Sequence, residues 1–187
     1  MVMVPEAILQ RRLTFEDYLA LPDDQDYEIV EGVLYVAPRA RPRHQRVATQ
    51  FTLELVNQVE RPGRGIVVWD ADLIVDERNT YVSPDVMLFL GTRAAQINVD
   101  EMIRTIPDLV VEVLSPTSQD YDRGTKRDTY ERLGVRHYWI VDPMRQRVLE
   151  LVLDPTGRYA ERETRAPDPF RLALFPDLAI DLTRAFA

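Results

Sequence analysis

The chain has 187 residues, 45% of them hydrophobic, which is enough for one sizeable core, and it has no cysteine, so a disulfide framework, a thiolate metal site and a thiol nucleophile are excluded. A formal net charge of −8 excludes a protein that coats nucleic acid by bulk charge, because phosphate binding is largely neutralisation by Lys and Arg. No stretch approaches the roughly 20 apolar residues of a membrane span, and MVMVPEAILQRR places its arginines after the apolar residues, the reverse of a secretory signal; the expectation is one domain over residues 1–187 in a reducing, cytoplasmic compartment.

In chain order, Thr14 before Phe15–Leu19 predicts a short capped helix that stops ahead of Pro22. YEIVEGVLYV alternates around Glu31-Gly32 and predicts a hairpin in which glycine supplies a positive φ. Glu28 and Glu31, on either side of that turn, read as solvent-facing strand residues or as accessory groups near a metal. Between Pro38 and Thr49 stand Arg39, Arg41, Arg43, His44 and Arg46 with no acid. Such a strip suits a polyanion, or is simply a solvated charge run at a helix start. From His44 to Glu60, Val47, Phe51, Leu55 and Val59 recur every four residues, which predicts an amphipathic helix.

Two apolar runs follow, GIVVWDADLIV and YVSPDVMLFL, then a polar excursion over residues 91–107, then DLVVEVL. Their density predicts the interior of a sheet. Residues 122–133 have a helical pattern, with Asp122 as the expected N-cap and Gly134 as the C-terminal cap. HYWIVDP and RVLELVLD predict a further strand pair. This order implies an α/β fold: a mixed central β-sheet flanked by helices, with an N-terminal hairpin extension.

Three residues stand out chemically. Glu112 interrupts DLVVEVL on the face of Val110 and Leu114, and Asp85 interrupts YVSPDVMLFL directly after Pro84, which cannot donate to a strand ladder and so predicts a kink. A carboxylate in such a strand must shift its pKa, pair with a cation or bind a metal. Lys126 is the only lysine among 23 Lys and Arg residues. A chain that uses Arg wherever a positive charge suffices keeps Lys where a compact ammonium is needed, its pKa lowered by a low-dielectric site. The alternative is a lysine lying along the surface. At helical spacing Lys126, Tyr130 and Leu133 share one face, where Tyr130 reads as packing or an accessory group. Two carboxylates and an ammonium suit phosphodiester hydrolysis: the acids hold a hard cation, and the ammonium serves the attacking water and the charge growing on phosphorus.

SPDVMLF, the block PDLVVEVLSPTSQDYDRGTKRDTYERLGVRHYWIVDP and YEIVEGVLYVAPRARPRHQ together resemble the Uma2 (Uma two) family of the PD-(D/E)XK nuclease superfamily. The resemblance implies a restriction-endonuclease-like core and a Mg²⁺-dependent (or Mn²⁺-dependent) endonuclease acting on DNA. It matches Asp85 and Glu112 to the two acidic half-motifs that bind metal, and Lys126 to a catalytic lysine that has moved to the following helix, since Leu114 stands where the short motif has lysine. His44 matches a histidine at a helix start. His137 stands where the family has glutamate and is given no chemical role; Asp142 before Pro143 reads as turn chemistry. Arg41, Arg43, His44 and Arg46 are the expected nucleic-acid contacts, and a homodimer is expected because one site per chain suits twofold cutting of a duplex. Two other classes remain open: a nuclease-like binding module without turnover, and a glycosidase using Asp85 and Glu112 as acid and base, which leaves Lys126 without a function.

Overall fold

In the computed structural model, which describes residues 11–22, 25–37, 41–75, 79–115 and 119–187, a capping box between Thr14 and Asp17 opens helix α1 (Phe15–Leu19). Strands β1 (Asp26–Val30) and β2 (Val33–Ala37) pair antiparallel with Val30 opposite Val33. Glu31 and Gly32 between them have φ of 52° and 78°, the two-residue turn whose twist suits a hairpin. Only glycine fits the second position, because a Cβ there would lie 2.7 Å from Cβ of Arg12. Helix α2 (Pro42–Leu55) starts on a proline, whose missing N–H costs nothing in a first turn, and continues as a π-helical turn, Val56–Glu60.

Each of the two long apolar runs is cut in two. The first gives β3 (Ile66–Trp69) and β4 (Leu73–Val75); the second gives β5 (Thr80–Val82) and β6 (Val86–Phe89). β4 and β5 join the hairpin in a four-stranded antiparallel sheet of order β2-β1-β5-β4. β3 and β6 belong to the central sheet, so the chain crosses between sheets at residues 70–72 and again at 83–85. Asp70 takes a positive φ of 52° at the first crossing, and Pro84 stands in the second, where no ladder bond is lost. After the short helix α3 (Gly91–Ala94) come β7 (Leu109–Val113), β8 (His137–Asp142), β9 (Arg147–Leu153) and β10 (Tyr159–Arg165). The central order is β10-β9-β8-β7-β6-β3, with β7 and β8 parallel and the other pairs antiparallel.

Period-two alternation sends β7 and β8 to two cores. Val111, Val113, Trp139 and Val141 pack on one face against Val47, Phe51 and Leu55 of α2. A C-terminal segment completes that face: β11 (Phe170–Arg171), β12 (Ala179–Ile180) and α5 (Leu182–Ala185). On the other face Val110, Tyr138 and Ile140 pack with Tyr130, Val30 and Leu73, so the small sheet and the Lys126 helix cover it. The expected sandwich with a mixed central sheet is therefore present. No helix among the described residues is long and apolar enough to cross a membrane.

The Lys126 helix departs from expectation at its start. Gln119–Tyr121, a π-helical turn Asp122–Lys126 and Arg127–Leu133 follow one another, here together α4, and Gly134 closes it at φ 74°. Asp122 is not the N-cap. The helix is already under way at Gln119, and Asp122 is buried with a carboxylate oxygen 3.9 Å from the Lys126 ammonium.

Candidate active site

The two sheets and α4 meet around a cleft of about 960 Å³ lined by Glu28, His44, Asp85, Glu112, Asp122 and Lys126, with further acids at Asp26, Asp70 and Asp72. The β6–β7 register, Val86 opposite Val111, puts Asp85 beside Glu112 when continued by one residue. Asp85 stands just before β6, where the ladder has ended. Its Oδ2 accepts the Val113 N–H at 2.7 Å and lies 3.3 Å from Nε2 of His44, which reaches in from the first turns of α2. A carboxylate that replaces a missing strand partner in this way is fixed in orientation while staying about one-fifth exposed.

Glu112 is almost fully buried. Its Oε1 accepts from the Lys126 ammonium at 2.8 Å and from the Tyr130 hydroxyl at 2.8 Å. The shared helical face of Lys126 and Tyr130 is thus a face turned onto one carboxylate. The Lys126 ammonium also lies 2.9 Å from Oε1 of Glu28, which in turn accepts the Ser83 N–H at 2.9 Å. Glu28 is not a solvent-facing strand residue: it is 4% exposed, because the small sheet lays β1 against the site. Glu31 is the residue that faces outward, pairing with Arg132 at 3.3 Å.

Charge in this site is unbalanced. Burial pushes the Glu112 carboxyl well above the ordinary glutamate range; Lys126 opposes that, and the charges of Asp122, Asp85 and Glu28 reinforce it. Lys126 moves the other way from the sequence expectation of a lowered pKa. Burial does press its pKa down, but the carboxylates of Glu112 and Glu28 outweigh burial, so the group is held as an ammonium. Tyr130 is kept as the phenol, first by burial and then by the Glu112 charge, and therefore acts as a donor. For His44, burial favours the neutral ring, yet the hydrogen bond and charge of Asp85 and the nearby Val113 carbonyl prevail and raise its pKa.

Of the arginine strip, Arg39 lies outside the described residues. Arg41, Arg43 and Arg46 are exposed but do not line the cleft. Arg43 donates to the Met144 sulfur at 3.4 Å and Arg46 to the Ala187 carbonyl at 3.1 Å. Successive helix residues are 100° apart, so a run of arginines cannot all face the side that His44 faces. His137 sits at the far end of β8, buried and neutral, its pKa lowered to about 4 chiefly by desolvation. Asp142 does make the turn expected of it, accepting the Arg145 N–H at 3.0 Å.

The donor set fits a small hard cation. Asp85 and Glu112 offer neighbouring carboxylates, and Mg²⁺ is usually held by one or two carboxylates with water and substrate completing the shell rather than by an all-protein cage. Among the described residues no group of three or more His, Asp or Glu side chains has the spacing of such a cage.

Comparisons with known proteins agree with this fold. A crystal structure from Anabaena variabilis, described as "a putative nuclease belonging to DUF820", superposes with a TM-score of 0.74, covering 93% of this chain and 97% of that one at 19% identity, a likeness of fold. Two Synechocystis sp. proteins are similar in sequence. "Uncharacterized protein slr1290" is 29% identical over 123 residues, 64% of this chain and 62% of that one, so the chain spans about three fifths of its length. "Uncharacterized protein sll1609" is 26% identical over 139 residues, 73% of this chain and 78% of that one. The family model described as "Putative restriction endonuclease" matches residues 15–183, and the chain therefore belongs to the Uma2 family.

Proposed function

We propose that the chain is a metal-dependent endonuclease that hydrolyses phosphodiester bonds in DNA, with Asp85 and Glu112 holding Mg²⁺ and Lys126 serving the reacting phosphate. The observation that carries this reading is the charge excess: the chain's only lysine faces Glu112, Glu28 and Asp122 at 2.8, 2.9 and 3.9 Å, and Asp85, beside His44, lines the same cleft. One ammonium cannot balance the three carboxyls around it, and a divalent cation between Asp85 and Glu112 would supply the missing charge.

When bound, the metal supplies Lewis-acid polarisation of a phosphate oxygen and a more acidic water. Asp85, pinned by the Val113 N–H and His44, provides an oxygen of fixed direction. Lys126 and Tyr130 both hold Oε1 of Glu112, which orients the carboxylate and leaves metal ligation to its other oxygen. Because Lys126 is held as an ammonium, its role is to offset negative charge on the pentacovalent phosphorus rather than to remove a proton from water. His44, beside Asp85, is positioned to contact the scissile phosphate. The reading includes a cytoplasmic protein and a twofold dimer on duplex DNA.

A panel of labelled duplex, single-stranded and branched DNA and RNA, incubated in Mg²⁺, Mn²⁺ or EDTA, tests the reading. Cleavage of DNA in either metal and none in EDTA is expected. Cleavage that persists in EDTA, or metal binding with no cleavage of any member, would reject it in favour of a metal-free hydrolase or a non-catalytic module respectively.

A further inference from the structure

The acidic cleft poses a problem that its metal alone does not solve, because Asp26, Asp70 and Asp72 also line it and would repel a polyanion approaching from that side. A nucleic acid needs a counter-surface next to the cleft. The described part of the arginine strip read from the sequence does not form one, since of Arg41, Arg43, His44 and Arg46 only His44 enters the lining.

A different cluster stands at the end of β8, built from three separate segments. Asp142, 1% exposed, is paired with Arg145 at 3.1 Å, Arg147 at 3.3 Å and Arg123 at 3.8 Å. Arg43 joins them, its guanidinium resting on Met144 of the β8–β9 turn. The position relative to the cleft follows from the chain. Arg123 is next to Asp122 and Arg43 next to His44, both lining residues; Asp142 follows Val141, which pairs with the lining residue Val113.

The charges and donors suit phosphate. Four guanidinium groups face two carboxylates, Asp142 and Glu163, the latter bound to Arg147, so the patch is positive on a chain of net charge −8. Hydrogen bonds to Asp142 outweigh the burial that would protonate it, and the carboxylate stays ionised. Donors are available at the surface: the Arg145 side chain is 55% exposed and that of Arg123 33%, and among the described residues Arg43 donates to a thioether, a weak acceptor. Arginine forks match phosphate oxygens in pairs, and a buried carboxylate behind them holds those forks in place before the ligand arrives.

We infer that Arg43, Arg123, Arg145 and Arg147, organised by Asp142, form the surface that takes the phosphate backbone of duplex DNA flanking the cleft. This rests on the nuclease reading above and adds the residues that carry substrate binding. Asp142 is a positioning residue; the arginines make the contacts.

The test is binding of labelled duplex DNA in EDTA, across a range of salt, by Arg123→Ser/Arg145→Ser, by Asp142→Asn and by the control Arg61→Ser/Arg64→Ser, which removes two charges beyond the far end of α2. The first double variant should bind at least about tenfold more weakly at all sequences, with a salt slope smaller by about 2, while the control binds as wild type. Asp142→Asn, checked for folding by circular dichroism, should also bind more weakly although it raises the net charge. Unchanged binding by the first double variant, tighter binding by Asp142→Asn, or wild type that binds RNA but not duplex DNA would each overturn the assignment. Because no metal is present, these outcomes are independent of cleavage. An enzyme that cuts DNA in Mg²⁺ but loses nothing on Arg123→Ser/Arg145→Ser keeps its metal centre and loses this surface.

Discussion

Lys126→Arg is expected to slow single-turnover DNA cleavage in Mg²⁺ at least about a hundredfold while the protein folds normally, the loss typical of removing one aligned electrostatic donor from an active site. The substitution conserves charge and so isolates shape. Lys126 is 4% exposed, and its ammonium fits between Oε1 of Glu28 and Oε1 of Glu112 at 2.9 and 2.8 Å. A planar guanidinium is larger and directs its donors in a fork. It can pair with both glutamates only by moving them, and Glu112 is a ligand in the proposed site. Cleavage within a few-fold of wild type would mean that Lys126 supplies charge alone and would detach the catalytic role from it.

Lys126→Met is expected to lower stability by about 3 to 5 kcal/mol at neutral pH without added metal, the usual result of removing one partner from a buried ion pair. Two carboxylates, Glu28 and Glu112, lose the cation they share. The pH dependence has a definite sign. The folded-state pKa of Glu112 is already raised above its ordinary value of 4.5 and rises further once Lys126 no longer opposes the shift. The variant then keeps a proton on Glu112 over a pH range in which wild type gives it up, so its deficit relative to wild type is smallest at low pH, where both hold the proton, and grows as pH rises through the raised wild-type value. Urea unfolding of both proteins at pH 5 and pH 8 measures this. A deficit under about 1 kcal/mol, or one that is larger at pH 5, would show that the ion pair is not the main support of the buried carboxylates.

The sequence carries the parts of this fold that follow a single local rule. The four-residue recurrence of Val47, Phe51, Leu55 and Val59 gives α2 its buried face, Glu31-Gly32 gives the hairpin, and strand parity places Glu112 with Val110 rather than with Val111. What the sequence hid depends on contacts between elements. Glu28 is buried for the same reason as Glu112, a carboxylate inside a strand buried from Tyr27 to Val30, but the alternation of the hairpin suggested an exposed face. β10 has the charged sequence YAERETR, since an edge strand with an exposed face needs no apolar alternation. The π-helical turn at Asp122–Lys126 has no pattern of its own, so Asp122 looked like a cap. Charge runs misled in a complementary way: Arg43 and Arg46 are close in sequence and diverge in space, while Arg123, Arg145 and Arg147 are dispersed in sequence and converge on Asp142.

Titration calorimetry with Mn²⁺ tests the proposed centre most directly, because it needs no knowledge of the substrate. Wild type should bind one Mn²⁺ per chain near pH 7, Asp85→Ala should bind none, and Glu112→Gln should bind weakly. Wild type that takes up no Mn²⁺, or Asp85→Ala that binds it as wild type does, would contradict a metal centre built on Asp85 and Glu112.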